Sequence, residues 1–519
     1  MTYDAVEKLS AAPIRQGNAL LMAAHETIWG MAVSSDAVEL APSATTAMTL
    51  SPTVLEGPCD ILGAAGNPCV AAHSTVRALY AKYAGPLYTV LHTLRNQSAD
   101  IHVLDPGGFA NVTQHEAMCP AEGECVIARV MDQSGHANHL TPRDDTGVPG
   151  RRPGQTGKKH NPVDASKHKI HVGKDSTQVY GMYFDQGMGY KNNKTKGVAT
   201  GDAPETMYAV MTGKRWGNSC CFDYGNSELG GYSDGAGTME AIFWGAARWR
   251  GNTGYAEPGC ILATPEAPNR TNASTCDGST PEKSENCCGP WLGADLESGM
   301  YYGGGAAKVN EQNKPLRHDF VSLMLKGRHD GFMLKGGDGS RGNFATMYDG
   351  PRPVGGYTPM KKEGAIILGT GGDQSNGDRG NFYEGFMVTG ATTDETDDAV
   401  QANIVAVGYK ALPALHCAEV GKSTCYRDRV PARIMGDPVM VSNSMTREQC
   451  MQSCFGRQKS LAGVEDGGQC MCGDSVNRPV PSTNCTTACP GNSSELCGGW
   501  MAINIMNFTC ARVPAAKST

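Results

Sequence analysis

The 519-residue chain lacks several things, and each absence narrows what it can be. No apolar run reaches the roughly 18 residues of a membrane-spanning helix, so nothing reads as a helical transmembrane segment. Basic residues are outnumbered, 45 Lys and Arg against 52 Asp and Glu. The formal charge of −7 leaves no cationic footprint for nucleic acid. Aromatics are only 7 % of the chain, and long amphipathic helical periods are few. Met1–Glu7 is not followed by the basic and apolar regions of a signal peptide, and Ala19–Val33 is only patchily apolar.

What is abundant points the other way. Sixty-six glycines imply many turns and short strands, and the length suits two or three domains. Twenty cysteines stand beside eight Asn-x-Ser/Thr sequons, at Asn96, Asn111, Asn193, Asn269, Asn272, Asn484, Asn492 and Asn507. Together they imply an oxidising, secretory route, a disulfide framework and an extracellular destination. That route calls for a leader, expected upstream of this numbering.

Residues 1–55 hold no cysteine. A helix is expected around Asn18–Val33, then an extended Ala/Thr/Ser/Pro-rich arm that reads as a linker, a glycosylated stalk or a strand lent to a second copy in self-assembly. From Gly57 the text becomes dense. Cys59–Cys69 and Cys119–Cys125 each close a short loop, and Gly85–Val90 and Cys125–Met131 read as strands. His136 and His139 follow with no third ligand at a recognisable spacing, so they read as loop histidines rather than a metal pair. Strands are expected at Met207–Met211, Gly237–Phe243 and Asn381–Met387, and a helix at Ala399–Tyr409. The adjacent Cys220 and Cys221 either bond each other through a strained ring or pair elsewhere. Residues 250–289, rich in Pro, Asn, Thr and Ser, read as a disulfide-tied surface insertion.

The chemistry gathers around Gly289–Met300. Asp295 and Glu297 are spaced i, i+2, which in an extended strand puts both acids on one face. Such a face is either a solvated sheet edge or a cleft, since buried carboxylates are costly without partners. Glu363–Asp373 reads as a buried strand that delivers Asp373 into a Gly-rich loop. Beyond Leu415, Cys417, Cys425, Cys450, Cys454, Cys470, Cys472, Cys485, Cys489, Cys497 and Cys510 crowd a unit too small to rely on its core. No histidine joins the Cys470-Met471-Cys472 cluster, which favours disulfides over zinc.

Residues 56–411 resemble the catalytic domain of glycoside hydrolase family 54, the α-L-arabinofuranosidases. The likeness is carried by Gly57-Pro58-Cys59-Asp60-Ile61, Cys69-Val70-Ala71-Ala72-His73-Ser74-Thr75, Asp132-Gln133-Ser134-Gly135 with Asn138-His139-Leu140, and Cys220-Cys221-Phe222-Asp223-Tyr224-Gly225. Met239-Glu240-Ala241-Ile242, Pro290-Trp291, Lys362–Gly369 and Gly371-Gly372-Asp373 extend it. Residues 417–510, ahead of a tail at 511–519, resemble a WSC domain, a cysteine-rich carbohydrate-binding module. Cys425-Tyr426, Cys450 with Cys454, Ala462-Gly463-Val464-Glu465, Cys470-Met471-Cys472-Gly473 and Cys497-Gly498-Gly499 carry that second likeness.

The first resemblance implies an all-β fold, a concanavalin/laminin-G-like β-sandwich, and a retaining exo-glycosidase that needs no metal or cofactor. It assigns Glu297 as nucleophile and Asp373 as general acid/base. Asp295 and Gly372 would hold sugar hydroxyls, Trp249 would line the subsite, and Cys220–Cys221 would be a vicinal disulfide against the furanose. The chain departs from the family at Ser298-Gly299, where Asn-Asn is usual, and lacks the family's C-terminal β-trefoil. The expected substrate is therefore an arabinofuranosyl-bearing polysaccharide. The alternative is an extracellular wall, sheath or filament glycoprotein reusing the fold, or a furanose-binding lectin.

Overall fold

The computed structural model describes residues 56–148, 157–248, 251–262, 287–304, 308–442 and 445–513. The expected helix at Asn18–Val33, the arm within 1–55, Trp249, the sequons Asn269 and Asn272, and most of the 250–289 insertion lie outside the described residues.

Two seven-stranded antiparallel sheets make up the larger part of the chain. The first runs Cys69–Ser74, Gly380–Thr389, Glu205–Met211, Val321–Gly327, Phe332–Asp338 and Ala345–Gly350, with Met182–Phe184 also paired to Gly380–Thr389. The second runs Met300–Tyr301, Trp291–Asp295, Glu240–Gly245, Asp223–Ser227, Ala365–Leu368, Tyr190–Asn192 and Thr141–Pro142. Four of the twelve pairings join strands consecutive in the chain and the other eight join strands farther apart in it, which is the sandwich topology expected of the chain.

The central strands are buried on both faces: every residue of Glu205–Met211, Asp223–Ser227, Glu240–Gly245, Trp291–Asp295, Val321–Gly327 and Ala365–Leu368 is buried. That explains the continuous apolar runs of Ala365–Leu368 and of 241–244 in place of a clean alternation. Inside, Tyr224 meets Phe382 at a ring-centroid distance of 5.4 Å. A Cβ on Gly385 would lie 2.6 Å from the Tyr224 ring, so only glycine lets the sheets close there.

Several charges buried in the sandwich are paired in networks. Lys362 Nζ lies 3.0 Å from Glu205 Oε1 and 2.8 Å from Glu240 Oε2, and Arg352 Nη2 lies 3.0 Å from Glu240 Oε1. Arg77 grips Glu384 with two hydrogen bonds, 2.7 and 2.8 Å. Lys326 and Lys335 converge on Asp397 at 2.7 and 2.8 Å.

Element boundaries moved where local backbone overrode the sequence pattern. The strand expected at Gly237–Phe243 runs from Glu240 to Gly245, because Gly235 and Gly237 take positive φ and form the preceding turn. The helix expected at Ala399–Tyr409 spans Asp394–Ala406. Thr393 caps it, accepting from the Thr396 amide at 3.3 Å, and three acids occupy the first turn, where the helix dipole favours them.

The C-terminal unit has a sheet ordered Ala414–Glu419, Ala502–Val513, Leu461–Glu465, Gln469–Gly473 and Met440–Val441, with Thr424–Arg427 also on Ala502–Val513. Helix Arg447–Gly456 packs on it, started by a Thr446/Gln449 capping box. Disulfides join Cys417–Cys510, Cys425–Cys485, Cys450–Cys470, Cys454–Cys472 and Cys489–Cys497. Among the described residues no helix is long and apolar enough to cross a membrane.

Candidate active site

The site is built at one end of the second sheet, where three chain segments bring acids together. Strand register supplies the first pair. Asp295 is opposite Ala241, Ala241 is opposite Gly225, and Asp223 lies two residues from Gly225. Asp223 and Asp295 therefore share a face across the intervening strand. Both are buried.

Asp295 closes its strand, and the backbone then leaves extended geometry. Glu297 and Ser298 have φ of +57° and +59°. This corrects the expectation that Asp295 and Glu297 sit on one face of a continuous strand. Left-handed backbone at two successive non-glycine residues costs on the order of 1–3 kcal/mol each. Part of that cost is offset where the Glu297 amide donates to Asp295 Oδ1 at 3.0 Å. The turn leaves Glu297 buried, 6 % exposed, beside its neighbour rather than out in solvent.

Asp373 arrives from the loop after Ala365–Leu368 and is exposed. Its Oδ1 accepts from the Ser375 amide at 2.9 Å and from the Ser375 hydroxyl. Arg143 holds this loop by its backbone. Nη1 donates to the Gly371 carbonyl at 2.6 Å, Nη2 to the Gly372 carbonyl at 2.7 Å, and Nε to Asp145 at 2.5 Å. The two glycines are forced by close approach. A Cβ on Gly371 would lie 3.0 Å from Cys221 Sγ, and one on Gly372 would lie 1.8 Å from Glu228 Oε2.

Cys220 and Cys221 are joined to each other across a cis peptide. Cys221 Sγ lies 3.5 Å from Asp295 Oδ2, so the disulfide borders the acids. Disulfides also join Cys59–Cys69, Cys119–Cys125 and Cys260–Cys288, the last at the insertion's base. Among the described residues two groups bring potential metal ligands together, Cys220/Cys221/Asp295 and Cys450/Cys454/Cys470, and in both every sulfur is already in a disulfide. His139 accepts from the Asp132 amide at 2.9 Å, and His136 contacts the Ser134 hydroxyl at 3.2 Å. Both belong to that turn's own hydrogen bonding.

Glu228, directly after the Asp223–Ser227 strand, completes the cluster. Burial, then Glu297, raises Glu228 well above the carboxylate range. Burial and then Asp295 do the same to Asp223, and burial and then Glu297 to Asp295. Sequence reasoning missed Asp223, Glu228 and Arg143. Asp223 stood inside the Cys-Cys motif two residues past Cys221, which was the only available signal. At the family's Asn-Asn position, a Cβ on Gly299 would lie 2.7 Å from the Tyr301 ring, and Tyr301 hydrogen-bonds Tyr357 hydroxyl to hydroxyl at 3.0 Å. A cavity of about 780 Å³ lies elsewhere, between Lys167, Tyr183 and Arg215 of the sandwich and Gln452 and Phe455 of the C-terminal unit. It holds none of these acids.

Sandwich and acid cluster together define a protein of the β-sandwich glycoside hydrolase fold. The family model described as alpha-L-arabinofuranosidase B, catalytic, matches residues 58–266 and 269–410, and the chain belongs to that family. A WSC domain model matches residues 423–499. A probable alpha-L-arabinofuranosidase B of Aspergillus fumigatus is 42% identical over 359 residues, 69% of this chain and 63% of that protein. The alpha-L-arabinofuranosidase of Hypocrea jecorina is 40% identical over 363 residues, 69% of this chain and 64% of its own. The chain thus spans less than two thirds of the length of these relatives. A crystal structure of an arabinofuranosidase complexed with arabinofuranosyl-alpha-1,2-xylobiose superposes with a TM-score of 0.60 at 32% identity, covering 76% of this chain and 77% of that one.

Proposed function

We propose that the chain is a secreted retaining exo-glycosidase that releases α-L-arabinofuranosyl, or related furanosyl, residues from glycans. The observation that carries this reading is that Glu297 and Asp373 both act on Asp295, which the Glu297 amide and the Cys220–Cys221 disulfide border, on the family's sandwich. The named relatives and the arabinofuranosyl-bound neighbour support the sugar class.

In this reading Glu297 attacks the anomeric carbon while Asp373 protonates the departing glycosidic oxygen. Asp373 then takes a proton from the water that cleaves the glycosyl-enzyme, restoring both groups. Exposure suits Asp373, which exchanges protons with leaving group and water. Burial suits Glu297, whose carboxyl group is kept from bulk water and meets the sugar. Arg143 fixes the acid's loop through two carbonyls, so Asp373 does not wander between steps. Asp295 and the Gly372 backbone hold hydroxyls, and the disulfide offers an apolar wall to the ring.

Sequons and disulfides support an extracellular destination. The C-terminal module tethers the enzyme to glycan, and Trp500, 77 % exposed, gives it a flat stacking surface. Trp500→Ala in the full chain weakens retention on insoluble polysaccharide about tenfold, with nitrophenyl-glycoside turnover unchanged; undiminished retention would remove Trp500 from the tether. The catalytic reading is tested by nitrophenol release from 4-nitrophenyl α-L-arabinofuranoside. The wild-type chain turns over and Glu297→Gln loses about 10³-fold or more. An inactive, correctly oxidised wild type would sink the proposal.

A further inference from the structure

We infer that Glu228 is a positioning residue for Glu297: its carboxyl group keeps a proton and donates it as a hydrogen bond to the Glu297 carboxylate through both halves of the reaction. The inference rests on the furanosidase reading above and extends it to a residue outside the catalytic pair.

The geometry comes first. Glu228 is fully buried. Oε1 accepts a long hydrogen bond from the Thr238 hydroxyl, 3.4 Å, while Oε2 receives none from any donor among the described residues. Oε2 presses instead against the Gly372 backbone, in the space a side chain there would fill. The 237–238 turn brings Glu297 to this carboxyl: the Gly237 amide donates to the Leu296 carbonyl at 2.8 Å while the Thr238 hydroxyl reaches Glu228, and Glu297 acts on Glu228 from there. Two carboxylates cannot share a buried contact unless one is protonated. Burial, then Glu297, favours the proton on Glu228.

Other charges facing Glu228 do not substitute for that proton. Asp295, across the intervening strand, pushes Glu228 in the same direction as Glu297 does. Arg143 lies within electrostatic range but spends its donors on Asp145 and the Gly371 and Gly372 carbonyls. Lys191, from Tyr190–Asn192, also feels Glu228, with Asp145 and Glu363 nearby. Its ammonium donates to the Gly230 carbonyl, and burial, then Arg143, brings it down to about 7. Asp223 repeats the arrangement at the other end of the same strand: among the described residues neither of its oxygens receives a donor, and after burial Asp295 raises it most.

The consequence is asymmetric. Glu297 loses its charge as the sugar–carboxylate bond forms and regains it as water breaks that bond. A fixed donor favours the charged state, so Glu228 accelerates the second half and orients the oxygens for the first. Removing one such preorganised donor slows the assisted step about 10²- to 10³-fold.

The test is pre-steady-state hydrolysis of 4-nitrophenyl α-L-arabinofuranoside by the full chain. Glu228→Ala gives a burst of one nitrophenol per enzyme, then turnover about 10²-fold below wild type. Glu228→Gln keeps an N–H donor that cannot ionise. It shows no burst and turns over within about tenfold of wild type. Burst-free wild-type turnover in Glu228→Ala, or a loss of about 10²-fold or more in Glu228→Gln, overturns the inference. If Glu228→Ala does not fold, the near-isosteric Gln variant decides alone. Failure of the function reading is separate: it appears as an inactive wild type, not as silent Glu228 variants beside a dead Glu297→Gln.

Discussion

The sandwich and the C-terminal module are both sheets, yet different forces hold them. The sandwich buries a large continuous set of Tyr, Phe, Trp, Met, Leu and Val side chains and closes it with buried ion networks. In the module, Cys417, Cys450, Cys454, Cys470, Cys489 and Cys497 are themselves more than half of the main core, and a second small cluster holds Ile434, Met435, Met471, Ile503 and Ile505. A unit of that size buries too little apolar surface to stand alone, so covalent links take over. The lesson is that the catalytic candidate sits where packing provides rigidity, and the module's order depends on the redox state.

Reduction breaks the comparison most directly. Each native disulfide of a small domain is worth about 2–5 kcal/mol, so losing all five exceeds the module's stability. Dithiothreitol is expected to expose residues 417–510 to rapid hydrogen exchange while the sandwich core stays protected. Equal loss of protection in both regions would show that the sandwich also depends on its disulfides.

The converse change targets the sandwich. Lys362→Met leaves Glu205 buried without its cation and Glu240 with Arg352 alone, at a cost of about 3–5 kcal/mol. For a unit of this size that lowers the sandwich Tm by roughly 5 °C, read by calorimetry, and leaves module exchange untouched. A Tm within a degree of wild type would mean the network adds nothing to closure.

The smallest effect is one of pH. In the module, burial and then Asp428 raise Glu465 to about 7, although Arg433 bridges the two, 3.2 Å from Asp428 and 2.5 Å from Glu465. An acid raised above its ordinary value near 4.5 carries no penalty while it is protonated in both folded and unfolded states. Its contribution is therefore lost as pH rises from about 4.5 through about 7. The module is expected to lose roughly a few degrees of Tm between pH 5 and pH 8, and Glu465→Gln to flatten that slope. An equal slope in the mutant would place the titration elsewhere.

The two regions were also unequally legible. The β-sandwich could be read from short apolar runs, glycine-rich turns and the family's motifs. Cys59–Cys69 was readable because a short loop leaves few other geometries. Ten cysteines in the module allowed too many pairings for sequence to choose among, and only the sheet register sets Cys417 opposite Cys510. At the site, the strand to Asp295 and the Gly-rich approach to Asp373 were visible as patterns. The left-handed turn at Glu297 was not, because neither Glu297 nor Ser298 belongs to the residue types that signal it. Arg143 was invisible for another reason: it acts on carbonyls 228 and 229 residues away, and a carbonyl leaves no mark in sequence. Glu228 faced Glu297 only once three strands were in register.

The central claim is that Glu297 and Asp373 form a nucleophile and acid/base pair on this sandwich. Proton NMR of the anomer first formed from 4-nitrophenyl α-L-arabinofuranoside tests it most directly. Two displacements through Glu297 predict α-L-arabinofuranose before mutarotation. First appearance of the β-anomer would contradict the account, because it would mean a single displacement by water with no glycosyl-enzyme at Glu297.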